Sequence, residues 1–124
     1  MNSRTSVVPK SDNWDDNLAA PAGTVLTLVS MLVPARAKFV LKGFGNYLSV
    51  VANFGLLRWD FFKNGIPVYP YFAIRTQMGY AAQTRPIEPI VIEGGCLLEI
   101  RVTQESGVAC VAGVSLDWEE HFGG

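Results

Sequence analysis

The residues of this chain that could do chemistry are few and widely spaced. Its one histidine, His121, stands beside Glu119 and Glu120 near the C-terminus. A histidine-based metal centre needs at least three fixed donors converging in a cavity, and a single imidazole does not supply them. A serine–histidine–acid arrangement would require this tail to fold over a buried nucleophile, and no motif marks one. Glycoside hydrolysis takes two carboxylates facing each other across a cleft. Glu88, Glu93 and Glu99 instead fall at loop ends and on an outward strand position. Gly43-Phe44-Gly45-Asn46 resembles a phosphate loop in its glycines only, because no helix and no Lys-Ser/Thr pair follows. It reads as a bulge or tight bend in a strand. The expectation is a protein that is not an enzyme and uses no cofactor or metal.

Cys96 and Cys110 read as reduced, small apolar fillers. A hairpin of residues 96–103 and 108–118 would set Cys96 opposite Ser115 and Cys110 opposite Arg101. At about 3.4 Å per residue the sulfurs would then be more than ~12 Å apart. A disulfide needs Cα atoms within about 7 Å.

Two groups of aromatic residues call for a partner rather than a reaction. Phe61-Phe62, Tyr69, Tyr71-Phe72 and Tyr80 crowd the middle third. Strand alternation buries only about half of such a group. Phe62, Tyr69, Tyr71 and Phe72 are therefore expected at a subunit interface, with a sugar-stacking groove and the subunit's own core as the alternatives. Trp14 lies among Asp12, Asn13, Asp15 and Asp16, where no core strand is legible. With Asp15, Asp16 and Leu18 it forms the expected partner-binding set, its indole the anchor.

Composition points the same way. The 124 residues are 49% hydrophobic and 17% charged, whereas a soluble domain carries about 25% charged residues. A small domain has much surface to solvate, so part of its apolar surface is expected to be covered by other copies or by a larger assembly. The net charge of −1 supplies no field for nucleic acid. The most apolar run, Val25 to Val33, falls far short of the ~20 residues of a spanning helix. Neither a nucleic acid nor a membrane is an expected partner, and no signal-peptide core follows Met1.

The elements that would position these residues are strands. Residues 1–23 are polar, acidic and broken by Pro9 and Pro21, and read as an extended N-terminal arm. From residue 24 to 124 the chain reads as one β-domain. Val25–Val33 has the look of a strand covered on both faces. Phe39 and Leu41 face inward, opposed by Lys38, Val40 and Lys42. Leu57, Trp59 and Phe61 face inward, with Arg58 and Asp60 outward. Asn64-Gly65 marks a hairpin, and Pro67 places the return strand at an edge. Residues 75–86 read as a loop, Ile90–Ile92 as a short strand, and Leu98, Ile100 and Val102 as inward. Val108, Cys110, Ala112, Val114, Leu116 and Trp118 share one face of the last strand. The sum is an all-β jelly-roll sandwich of about eight antiparallel strands.

Three stretches resemble small jelly-roll structural proteins of tailed bacteriophages, including capsid decoration (cement) proteins. They are Val33-Pro34-Ala35-Arg36-Ala37-Lys38-Phe39-Val40-Leu41-Lys42, then Trp59-Asp60-Phe61-Phe62-Lys63-Asn64-Gly65-Ile66-Pro67-Val68, and last the run from Pro89 to Val102. The resemblance implies a homotrimeric virion protein, assembled in the host cytoplasm, that binds the major capsid protein on the capsid surface. The alternative from another class is a carbohydrate- or receptor-binding module of a phage tail or spike.

Overall fold

Apolar alternation folds into eight strands, and no helix forms among the described residues. The computed structural model describes residues 6–49, 57–68, 71–75, 83–105 and 107–123. The strands are β1 (Ser6–Leu18), β2 (Val25–Leu32), β3 (Ala37–Leu48), β4 (Leu57–Lys63), β5 (Ile66–Pro67), β6 (Arg85–Glu93), β7 (Leu97–Gln104) and β8 (Cys110–Phe122). They build two four-stranded sheets, ordered β1-β8-β3-β6 and β2-β7-β4-β5, in which every pair is antiparallel. Strands of the first half pair with counterparts in the second: β1 with β8, β2 with β7, β3 with β6 and β4 with β5. The architecture is a β-sandwich.

The inner faces carry the side chains that alternation selects. Phe39, Leu41, Phe44 and Leu48 of β3 join Ala112, Val114 and Leu116 of β8 on one sheet. Leu57, Trp59 and Phe61 of β4 join Leu98, Ile100 and Val102 of β7 on the other. Phe44 and Phe61 meet edge to face across the two layers, with ring centroids 5.0 Å apart. Each fully buried large side chain contributes roughly 1.5–3 kcal/mol, so this interior is a packed core. Asn64 and Gly65 both take positive φ (51° and 76°), the paired left-handed conformation of a tight hairpin. Asn64 Oδ1 also accepts the Leu97 amide at 2.8 Å and fixes that turn to β7.

Several expectations are corrected. Residues 6–18, read as part of an arm outside the sandwich, form β1. This strand is registered without a break against β8, from Ser6 opposite Phe122 to Leu18 opposite Cys110. Val25–Val33 is not covered on both faces, because β2 turns one face to the core and the other outward, where Val25 and Leu32 are exposed. The short strand expected at 90–92 extends over Arg85–Glu93. Val108 is exposed, since the last strand starts only at Cys110. The hairpin drawn between the last two strands does not form: β7 lies between β2 and β4, and β8 between β1 and β3. Ser115 therefore sits opposite Asn13 and Gly45, and Arg101 opposite Thr27 and Asp60. Both cysteines are free thiols, as expected, although they do not lie on one hairpin.

Candidate functional site

The two constellations singled out in the sequence fall on opposite sheets. On β1, residues that pair with the inward set of β8 point toward the sandwich, so Trp14 and Leu18 face in and Asp15 faces out. Leu18 is buried at 1% exposure, which removes it from any partner-binding set. Trp14 is half-buried against the core, its ring tilted 32° to that of Trp118 with centroids 5.9 Å apart. It is a core-edge residue and not a free anchor. The reason is that an edge strand of a sandwich buries only scattered positions, so its acidic neighbours concealed its role.

Asp15 belongs to a latch on the outer face. Its Oδ2 accepts a 2.5 Å hydrogen bond from the Tyr47 hydroxyl, and the Tyr47 ring crosses over Gly113 between them. Burial, then this hydrogen bond and the carboxylate's charge, push the Tyr47 phenol up to about 12. Four residues along the same face, Asp117 accepts from Ser11 Oγ at 2.5 Å and from Thr84 Oγ1. These residues border an open trough of about 680 Å³. Asp117 accepts from two hydroxyl donors and so clamps β1 and residue 84 to β8. Asp16 is exposed, and its Oδ1 accepts the Asn17 amide at 2.8 Å.

The second constellation lies on the outer face of the sheet β2-β7-β4-β5. Phe62 and Phe72 are half-buried and meet edge to face at 90°, with centroids 5.9 Å apart. The Arg101 guanidinium sits 4.3 Å above the Phe62 ring and donates to Glu99 at 2.9 Å. Arg58 reaches to 5.7 Å from the Phe72 ring and donates to Asp60 at 2.8 Å. Tyr71 is not part of this face: its ring packs 5.7 Å from the core residue Phe61, and its hydroxyl donates to the Glu88 carbonyl. Tyr69 lies outside the described residues.

Asp60 corrects a further expectation. Placed outward by alternation, it is 1% exposed because residues 71–75 fold over it. The Ala73 amide donates to its Oδ1 at 2.7 Å, and Ala73 itself holds φ at +59°. Trp59 and Ile74 exchange both backbone hydrogen bonds at 2.9 Å. Arg75 binds Glu105 through two nitrogens (2.9 and 3.2 Å) and draws that carboxyl below its usual range. Arg58, Asp60 and Arg101 are the residues that sequence reasoning missed. Alternation did set all three outward, but which strand lies beside which (Asp60 opposite Arg101, Phe62 opposite Glu99) is not legible along one chain.

Flanking this cluster on β2, Val25 and Leu32 are 54% and 68% exposed. Leu32 is opposite Leu97, and between β2 and Phe62 the same face carries the polar pair Ser30 and Glu99. Among the described residues no three His, Cys, Asp or Glu side chains converge as a metal centre would require. No protein-family model matches the chain, and no curated protein matches it in sequence.

Proposed function

We propose that this chain is a non-catalytic structural subunit with a jelly-roll sandwich, a capsid decoration (cement) protein that trimerises and reinforces a capsid lattice. The single observation that carries the reading is the outer face of β2-β7-β4-β5. It combines half-exposed Phe62 and Phe72, Arg58 and Arg101 laid on their rings, and exposed Val25 and Leu32. Aromatic residues and arginine are enriched at the centres of protein interfaces. The pairing of first-half strands with second-half counterparts supports a jelly roll, the double-sheet architecture of many capsid and lectin domains. The interior supports a structural role, because large side chains such as Trp59, Phe44 and Phe61 fill the space a ligand would need.

In this reading the face packs against other copies around a threefold axis, and the trimer spans neighbouring capsomers of the major capsid protein. Two modest contacts joined through one trimer gain by effective concentration. A carbohydrate- or receptor-binding module is less well supported, because sugar stacking needs an open ring and Arg101 already covers Phe62. The test is binding back to capsid-like particles that co-purify with the protein. Wild type should bind saturably, and Phe62→Ala with Arg101→Ala should lower occupancy at least about tenfold. Unchanged occupancy, or selective retention on a glycan array, would overturn the reading.

A further inference from the structure

Asn64-Gly65 is the one Asn-Gly pair of the chain; its other asparagines precede Ser3, Trp14, Leu18, Tyr47 and Phe54. In such a pair the glycine nitrogen can attack the asparagine carboxamide, because residue 65 has no side chain to stand in the way. Three conditions decide whether the reaction runs in a folded protein. The nitrogen must be free, it must reach Cγ, and the carboxamide must be ready to lose its amine. The turn between β4 and β5 meets all three.

Gly65 is exposed, and a Cβ built there would meet nothing within 4 Å. Neither its amide nor the Asn64 carbonyl enters a hydrogen bond among the described residues, so the peptide between the two can turn. Asn64 and Gly65 hold φ at 51° and 76°, which makes the turn type I′. The two tight hairpin turns share a φ of about +60° at the first central residue. They differ in its ψ, about +30° in type I′ and about −120° in type II′. Ring closure needs ψ near the second value, which swings the Gly65 nitrogen to the Cβ side of Asn64. One flip of this peptide therefore reaches the attacking conformation while Lys63 and Ile66 stay paired. Glycine accepts the change of sign in its own φ. The Leu97 amide donates to Asn64 Oδ1 at 2.8 Å, the oxygen on which negative charge develops during attack, and such a donor stabilises that charge. Asn64 Nδ2, the leaving amine, has no partner among the described residues.

We propose that Asn64 is a self-modification site that deamidates from the folded state through a cyclic imide. Gly65 N gives its proton to water or hydroxide and bonds to Cγ. The Cγ–Nδ2 bond breaks, and Nδ2 takes up a proton and leaves as ammonia. Water then opens the imide at either carbonyl. Breaking the new N–Cγ bond yields aspartate at position 64. Breaking the original N–C bond yields isoaspartate, whose main chain runs through Cγ. One carboxamide and one water become one carboxylic acid and ammonia, with no oxidation or reduction. Both products add a negative charge to the turn. Isoaspartate also lengthens the two-residue loop by one carbon and so loosens the bonds of 2.9 and 2.8 Å that tie residue 64 to Leu97.

The test is peptide mapping by mass spectrometry on the full chain, aged in mildly alkaline buffer both folded and unfolded in guanidinium chloride. The folded chain should convert Asn64 at no less than about one third of the unfolded rate, while Asn13 and Asn17 keep their amides. The product should contain isoaspartate beside aspartate. In guanidinium, where folding is not at issue, Gly65→Ala should slow the conversion at least about tenfold, because a Cβ crowds the attacking nitrogen. A folded-state rate below one third of the unfolded one would show that the turn protects Asn64 and would overturn the proposal. Equal conversion of Asn13 and Asn17 in the folded chain would also overturn it. So would aspartate without isoaspartate, or an undiminished rate in Gly65→Ala, since either means direct hydrolysis without the imide.

Discussion

Gly113 offers the sharpest perturbation, because its side-chain space is taken by one identified ring. A Cβ built there would lie 2.0 Å from Tyr47 Cε1 and 2.1 Å from Cζ. Gly113→Ala must therefore push the tyrosine off β8 and break its bond to Asp15, which links β3 to β1 across the intervening strand. Losing a hydrogen bond to a charged group costs about 1.5–3 kcal/mol, and overpacking costs typically 1–3 kcal/mol. Removing a strand glycine returns about 0.5–1 kcal/mol. The expected net loss is roughly 2–4 kcal/mol, read as a lower urea midpoint at unchanged slope. In a Tyr47→Ala background the obstacle is absent, so Gly113→Ala should be neutral or stabilising by up to about 1 kcal/mol. The double-mutant cycle thus carries a change of sign. Equal destabilisation in both backgrounds would refute the steric account and place the demand for glycine in the backbone.

Other outcomes follow from the same geometry. Trp14→Ala should lower stability by about 1–3 kcal/mol in urea unfolding, through the lost ring pair with Trp118 and partial burial; an unchanged midpoint would return Trp14 to a free arm. Asp60→Ala should cost roughly 2–4 kcal/mol, because it strands Arg58 and the Ala73 amide under residues 71–75, and proteolysis should then cut near residue 73 first. The Tyr47 phenol is raised in the fold from 10.0 to about 12, so the folded state favours its protonated form. That contribution is complete below pH 10 and is lost as pH rises through 12. Wild type should lose stability across this window more steeply than Tyr47→Phe, and parallel profiles would contradict it.

What was legible in the sequence is what one strand's own pattern determines. The Asn64-Gly65 turn, the inward Leu57, Trp59 and Phe61, and the inward Phe39 and Leu41 follow from alternation and turn chemistry. What escaped depends on neighbours. β1 is polar because an edge strand needs few buried positions, so Trp14 and Leu18 look like part of a tail along the sequence. β7 and β8 are close in sequence and both alternate, which suits a hairpin as well as two strands in opposing sheets. Gln104 is buried where the chain crosses, and its amide donates to the carbonyls of Ala19 and Val108. Asp60 looked solvated because nothing in its own strand announces that residues 71–75 cover it. For the candidate site, Phe62 and Phe72 were found by composition, while the arginines on their rings required the cross-strand register.

The central claim is that the face of Phe62, Phe72, Arg58 and Arg101 is buried between copies of this chain. Light scattering on the purified protein at micromolar concentration tests it most directly. The account expects one species at three times the 13.5 kDa of a single chain, falling apart when Phe62 and Arg101 are replaced by alanine. A monodisperse monomer of 13.5 kDa would contradict it.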